Sequence, residues 1–341
     1  MHLEAGLPVL VELTRGGVVE SRHRGAIAVA DARGRLRAWA GDPDFLTFPR
    51  SALKPFQAIV AVESGAADRF GFGHAELAVC CGSHSGEPRH RDVVAGMLER
   101  ARVPLDALCN GVAEPINDLE FARYLLGLVE KNALFQNCSG KHAGILAACR
   151  ALDLPLDAYD NPQHPIQQRI RAATGDCFHL PSGELLVGID GCTLPTFGAP
   201  LRNVAIGWAA IAEPDPTLVA HAEALERLAD AMVAEPWMVA GTGRLDTVLS
   251  EATQGRIIAK GGAEGVLCVA VRDKGLGIAF KIEDGSHRAH GVIVHSILRQ
   301  LGALSPSEDG VLARLFPTTL NSNRAQHVGD MYTVFELEHV G

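Results

Sequence analysis

Residues 48–65, FPRSALKPFQAIVAVESG, mark the point at which the chain changes its period. Before them, LPVLVEL, GGVVES, RGAIAVAD and ARGRLRAWAGD are short apolar runs cut by turn formers, which reads as antiparallel strands and hairpins. From Ser51 the apolar spacing lengthens to that of a helix, with Pro55 near the first turn, where its missing donor costs least. Helical stretches follow: HAELAVC, EPRHRDVVAGMLERA, DLEFARYLLGLVEK, SGKHAGILAACRAL and PIQQRIRAAT. A short strand-like GELLVGID precedes an amphipathic run from Thr217 to Ala234. Strands then return in GRIIAK, EGVLCVAV and LGIAFKIED, and a further helix is expected over Arg288–Leu301. Strands, many helices, strands and a helix suit one antiparallel sheet assembled from the two end regions and packed on a mainly helical middle. The expected class is α+β, because an alternating βαβ fold would place strands between most helices.

Composition narrows the function. The chain has 341 residues, 47% of them hydrophobic and 21% charged, which is ordinary for a soluble globule. Its formal net charge of −9 provides no basic footprint for nucleic acid or an anionic membrane. The longest apolar run, Val204–Ala212, falls far short of the roughly 20 residues a spanning helix needs. Glu4 and Glu12 sit where a signal peptide needs a basic start and a clean apolar stretch, so a cytoplasmic location is expected. Eight cysteines in such a chain read mostly as small buried hydrophobes, not as a disulfide framework. No CxxC pair and no HExxH is present.

Only six lysines occur, and they merit individual attention. A chain that draws routine positive charge from arginine keeps lysine partly where the proton must come off, which guanidinium does not allow. Ser51 and Lys54 form S-x-x-K at the start of the predicted helix, so hydroxyl and amine share a face. A desolvated neutral lysine can take the serine proton and make a nucleophile. Serine β-lactamases and penicillin-binding proteins use the same motif, with a lysine-glycine motif on a late strand. Lys260-Gly261-Gly262 occupies the corresponding place here. The plain alternative is a capped helix and an exposed lysine.

Three further clusters carry polar groups on glycine-flanked turns. CCGSHSGEP, residues 80–88, presents Ser83 and Ser85, or else simply ends one helix and caps the next. NCSGKH, residues 137–142, places Cys138 and Lys141 three apart at a helix start. GIDGCTLP, residues 188–195, adds Asp190 and Cys192. Two cysteines and a neutral lysine are able to hold zinc with one position left open, although lysine is a rare ligand and the thiols are far apart in sequence. Asp190 either pairs with a substrate ammonium or caps a turn. Gly241-Thr242-Gly243 lacks the pattern of a dinucleotide site, and His287, His290 and His295 read as ordinary helix residues.

Taken together and in order, FPRSALKPFQ, CGSHSGEP, QNCSGKHAG, GIDGCTLP and RIIAKGGAEG resemble the thermolabile, rhizobial-type (class 3) L-asparaginase family, from about Pro8 to Leu301. The resemblance implies a fold similar to the serine β-lactamases and penicillin-binding proteins and hydrolysis of L-asparagine to L-aspartate and ammonia. It implies Ser51 as nucleophile with Lys54 as base, and Ser83 with Lys260 as a second Ser-Lys pair. It also implies a zinc site of Cys138, Lys141 and Cys192, with Asp190 holding the substrate α-ammonium. Arg50, beside the nucleophile, is a candidate for substrate binding. Residues 1–341 are expected to form a single domain, with sheet from about 7–50 and 255–284, a helical region about 51–254 and C-terminal helices about 286–316. The partners expected are a small-molecule substrate and a second copy in a homodimer, with no nucleic acid and no membrane. The competing readings are another serine amidase or esterase on this scaffold, and a non-catalytic small-molecule sensor.

Overall fold

The computed structural model describes residues 6–217 and 219–340. Its strands are β1 Val9–Arg15, β2 Val18–Asp31, β3 Leu36–Ala40, β4 Leu46–Thr47, β5 Leu186–Ile189, β6 Pro195–Pro200, β7 Ile257–Gly262, β8 Val266–Val271, β9 Leu276–Ile282, β10 Thr319–Asn321, β11 His327–Thr333 and β12 Glu338–His339. Nine of them form one antiparallel sheet in the order β10-β11-β1-β2-β9-β8-β7, with β3 on β2 and β12 on β3. Gly16 and Gly17, at φ 56° and 80°, make the tight turn between β1 and β2. The 14-residue β2 is shared: its first half pairs with β1, and Gly25–Asp31 pairs with β9. The first and last parts of the sequence thus meet in one sheet, as the α+β reading requires.

Alternation along β2 decides what lies on each face. Ala26, Ala28 and Ala30 face one core, where the helix Leu201–Ala212 lies against the sheet. Ile27 and Val29 face a second core with Ile293 and Ile297 of the helix His290–Gln300. The small residues let the first helix come close. A Cβ at Gly277 of β9 would stand 2.0 Å from the Ala205 carbonyl oxygen, so only glycine fits beneath that helix. Helices Lys54–Glu63, His74–Cys81 and Ser139–Ala151 complete the helical layer. The last two are in close contact through Gly140 and Gly144, where a Cβ would meet Val79 O at 2.5 Å and Cys80 Sγ at 2.6 Å.

Some elements depart from the sequence reading. β10, β11 and β12 lie beyond its last helix, with β11 pairing antiparallel to β1 through Val11↔Thr333. Their HVGDMYT run buries only alternate residues and breaks apolar alternation with Gly329 and Asp330, so the period-2 signal is weak. A second, three-stranded sheet, β4-β6-β5, joins Leu46–Thr47 to the expected strand in GELLVGID through β6, which the sequence reading did not include. The helix expected from Thr217 begins at Ala222, after His221 takes the left-handed conformation.

Candidate active site

The site forms where the 48–54 stretch meets the end of β7. Pro49 leads into a 3-10 turn, Arg50–Leu53, which continues as the helix Lys54–Glu63. Arg50 holds φ at 52°, unusual for a residue with a side chain. Its guanidinium donates twice to Asp190 Oδ1, at 3.0 and 2.7 Å, and this ion pair offsets the backbone cost immediately before Ser51. Gly262 closes the junction from the other side, since a Cβ there would lie 2.2 Å from Pro49 O.

Ser51 and Ser83 line one cleft of ≈ 340 Å³ together with Asn137, Asp246, Gly261 and His290. A larger surface groove, ≈ 870 Å³, runs past Arg37, Lys274 and Gln300, but no serine-lysine pair lies in it. Chemistry therefore favours the smaller cleft. Lys54 is fully buried and donates from Nζ to Gly82 O at 2.6 Å, Ser83 Oγ at 2.8 Å and Asn137 O at 3.3 Å. The hydroxyl in contact with Lys54 is thus that of Ser83, while Ser51 lines the same cleft. Burial, reinforced by the Lys141 charge, pulls the Lys54 proton affinity below that of an ordinary lysine against the pull of Cys138.

Lys260 is equally buried, on β7. Its Nζ donates to Gly261 O at 2.6 Å and faces Asp246 Oδ2 at 3.4 Å. Burial pushes its pKa down to about 8, while the Asp246 charge opposes the shift. Both lysines named from the sequence are therefore desolvated amines within one layer of the cleft.

Cys138, Lys141 and Cys192 converge behind this wall. Lys141 Nζ approaches Cys192 Sγ at 3.2 Å, and Cys138 Sγ lies 3.1 Å from Asn137 Oδ1. All three side chains are buried. Cys138 is held well below the usual thiol range by its hydrogen bond with Cys192 and by the Lys54 and Lys141 charges. Cys192 is pushed upward by that same pairing and by burial. Among the described residues no three His, Cys, Asp or Glu side chains gather for a metal, and the third donor here is a lysine. Two sulfurs and an amine that are already dehydrated and within reach of one another suit a soft divalent ion such as zinc.

Asp190 sits at the end of β5, next to this group. Its Oδ1 takes Arg50 and the Gly191 N–H, at 2.8 Å, leaving Oδ2 without a partner among the described residues. The Lys141 and Arg50 charges overcome the cost of burial and hold the carboxyl below its usual range.

Several cleft residues escaped the sequence reading. Asp246 and Arg244 follow Gly241-Thr242-Gly243, a turn that gave no cofactor pattern but turns out to carry charge into the cleft. The turn is tied to the Ser83 loop: Ser85 donates to Ala240 O at 2.7 Å, and Thr242 gives its N–H and hydroxyl to Glu87 at 3.0 and 2.9 Å. Glycine-flanked charges at the start of a helix were the available signal. His287 and His290, read as ordinary helix residues, line the same cleft.

Fold and cleft together define a class: an α+β protein whose cleft holds two serines with buried lysines behind it. The comparison with protein families gives the rest: residues 11–333 match the model described as L-asparaginase II, and the chain belongs to that family. Membership supports an amidohydrolase of L-asparaginase type acting on a small molecule. No curated protein matches the chain. Among solved structures it is similar to Mglu in its native form in 4.3 M NaCl, at 17% identity and TM-score 0.46, covering 82% of this chain and 61% of that one. It is also similar to a β-lactamase from Mycobacterium bovis, at 15% identity and TM-score 0.40, covering 86% of this chain and 95% of that one. No helix among the described residues is long and apolar enough to cross a membrane.

Proposed function

We propose that the protein hydrolyses L-asparagine to L-aspartate and ammonia through an acyl-enzyme on Ser51. The observation that carries this reading is a pair of serines lining one cleft, with two fully buried lysines behind it. Ser51 Oγ attacks the side-chain amide carbon, and its proton passes to the neutral Lys54 amine. Ser83, 2.8 Å from Lys54 Nζ, relays that proton to the amide nitrogen as the C–N bond breaks and ammonia leaves. Water then adds to the ester, the same relay run in reverse restores Ser51, and aspartate departs. Lys260 sets the electrostatics of the Ser83 side.

Recognition falls to Asp190 and the group beside it. The free oxygen of Asp190 receives the substrate α-ammonium, and Arg50 keeps that carboxylate oriented. Cys138, Lys141 and Cys192 would hold zinc, which when bound supplies a fixed positive charge that offsets the thiolates beside the substrate. No bond to the amide is assigned to that group, so its removal should weaken recognition more than the chemical step.

The test is ammonia release from L-asparagine, run beside L-glutamine, with wild type and Ser51→Ala at matched concentration. Release from asparagine that disappears in the variant supports the reading. Equal rates in both proteins would move the nucleophile to another hydroxyl, and silence from folded wild type loaded with zinc would refute the asparaginase assignment.

A further inference from the structure

Asp246 lies at the start of the helix Leu245–Ala252 and is 6% exposed. Both of its oxygens are engaged with one short piece of β7. Oδ2 faces Lys260 Nζ at 3.4 Å, and Oδ1 accepts the Gly261 N–H at 3.1 Å. Glycine at 261 permits this approach, because a Cβ would stand 3.3 Å from Oδ1. The loop that delivers the carboxylate is the one tied to Ser85 and Glu87, so Asp246 is fixed relative to Ser83 as well as to Lys260.

The other groups facing Lys260 supply no countercharge. Lys54 comes from the helix beneath, Arg244 from the same loop as Asp246, Cys81 from the helix His74–Cys81, Cys268 from β8 and His287 from the segment ahead of the last long helix. Two are cations, two are thiols and one is an imidazole. A buried ammonium with such neighbours depends on the carboxylate that touches it.

We propose that Asp246 is a positioning residue for Lys260, holding its amine on the Ser83 side of the cleft and carrying the negative charge against which that amine takes up and returns a proton. The inference rests on the amidase reading above, since it assigns Lys260 a part in the same relay. Without Asp246, Lys54 and Arg244 repel a proton on Lys260, and the amine stays neutral through the working range. It then polarises Ser83 less and has no proton to return.

The six lysines make direct observation feasible. In the full chain the Lys260 Nζ resonance is followed by ¹⁵N NMR against pH, identified by its loss in Lys260→Arg. Wild type should titrate near 8. Asp246→Asn should move the midpoint down by about one unit or more and cut ammonia release at pH 8 by about 10- to 100-fold. Asp246→Glu keeps the charge on a longer arm; it should keep the midpoint near the wild-type value while still lowering kcat. An unchanged midpoint in Asp246→Asn overturns the proposal. So does wild-type kcat in Asp246→Glu, and that second result can be read even if the asparagine variant does not fold. Coupled titration in a wild type that releases no ammonia would refute the amidase reading alone.

Discussion

At the scale of the residue, the site depends on amines stripped of water. Replacing Ser51 by alanine removes a half-buried hydroxyl and no packing, so the variant should melt with wild type and lose about 10³-fold or more in ammonia release. Lys54→Met should cost a similar factor while the fold survives, because methionine fills the same buried space without a charge. Circular dichroism melts beside rate measurements check both. Lys260 also links stability to pH. Its folded pKa of about 8 lies below the unfolded value of 10.5, so between them the unfolded chain binds more protons. The contribution of Lys260 to stability therefore rises as pH climbs from about 8 towards 10.5 and is flat below that window. Denaturation midpoints of wild type and Lys260→Met should show their gap changing across that range and constant below it. In catalysis, where Lys260 must hold a proton to return, the same ionisation makes kcat/KM fall as pH rises through about 8.

Between elements, close approach is what holds the catalytic pieces in register. Gly262→Ala drives a methyl into Pro49 O, and both ends of that contact are backbone. It should cost about 1–3 kcal/mol and disturb Ser51, lowering the rate beyond the loss of folded protein; urea titration beside active-site counting separates the two. Much of this was legible in the sequence. The change of period at Ser51, the S-x-x-K spacing and the KGG strand end all point to the junction that the structure contains. The contact of Lys54 with Ser83 was not legible, because it depends on how a loop 29 residues away is threaded beneath the helix. Asp246 was missed for the same reason. Its partner is 14 residues distant across a strand and a turn, and no local periodicity encodes such a pair. Of the second sheet, β5 was legible as GELLVGID, whereas β6 was not, because Pro195 and Pro200 at its ends do not signal a strand.

For the molecule as a whole, the sheet divides two cores, and the functional groups lie towards the helical one. Zinc, if held by Cys138, Lys141 and Cys192, ties the helix beginning at Ser139 to the loop after β5. Chelation should then lower the melting temperature by several degrees and raise KM more than it lowers kcat, with Cys192→Ala insensitive to chelator. Calorimetry and initial rates with and without a zinc chelator check this.

The pairing of Val11 with Thr333 and of Gly25 with Ile282 bears on how the molecule comes into being. A ribosome releases the β1–β2 hairpin hundreds of residues before β11 and β9 exist, so it waits with apolar faces and open outer edges. High contact order of this kind slows folding and leaves the nascent chain prone to sticking. Ser51, Ser83 and Cys138 are likewise made well before Lys260 completes their surroundings. On the proposed mechanism the protein is thus inert throughout most of its own synthesis, and its yield in a cell should respond to chaperone supply and growth temperature more strongly than its equilibrium stability would suggest.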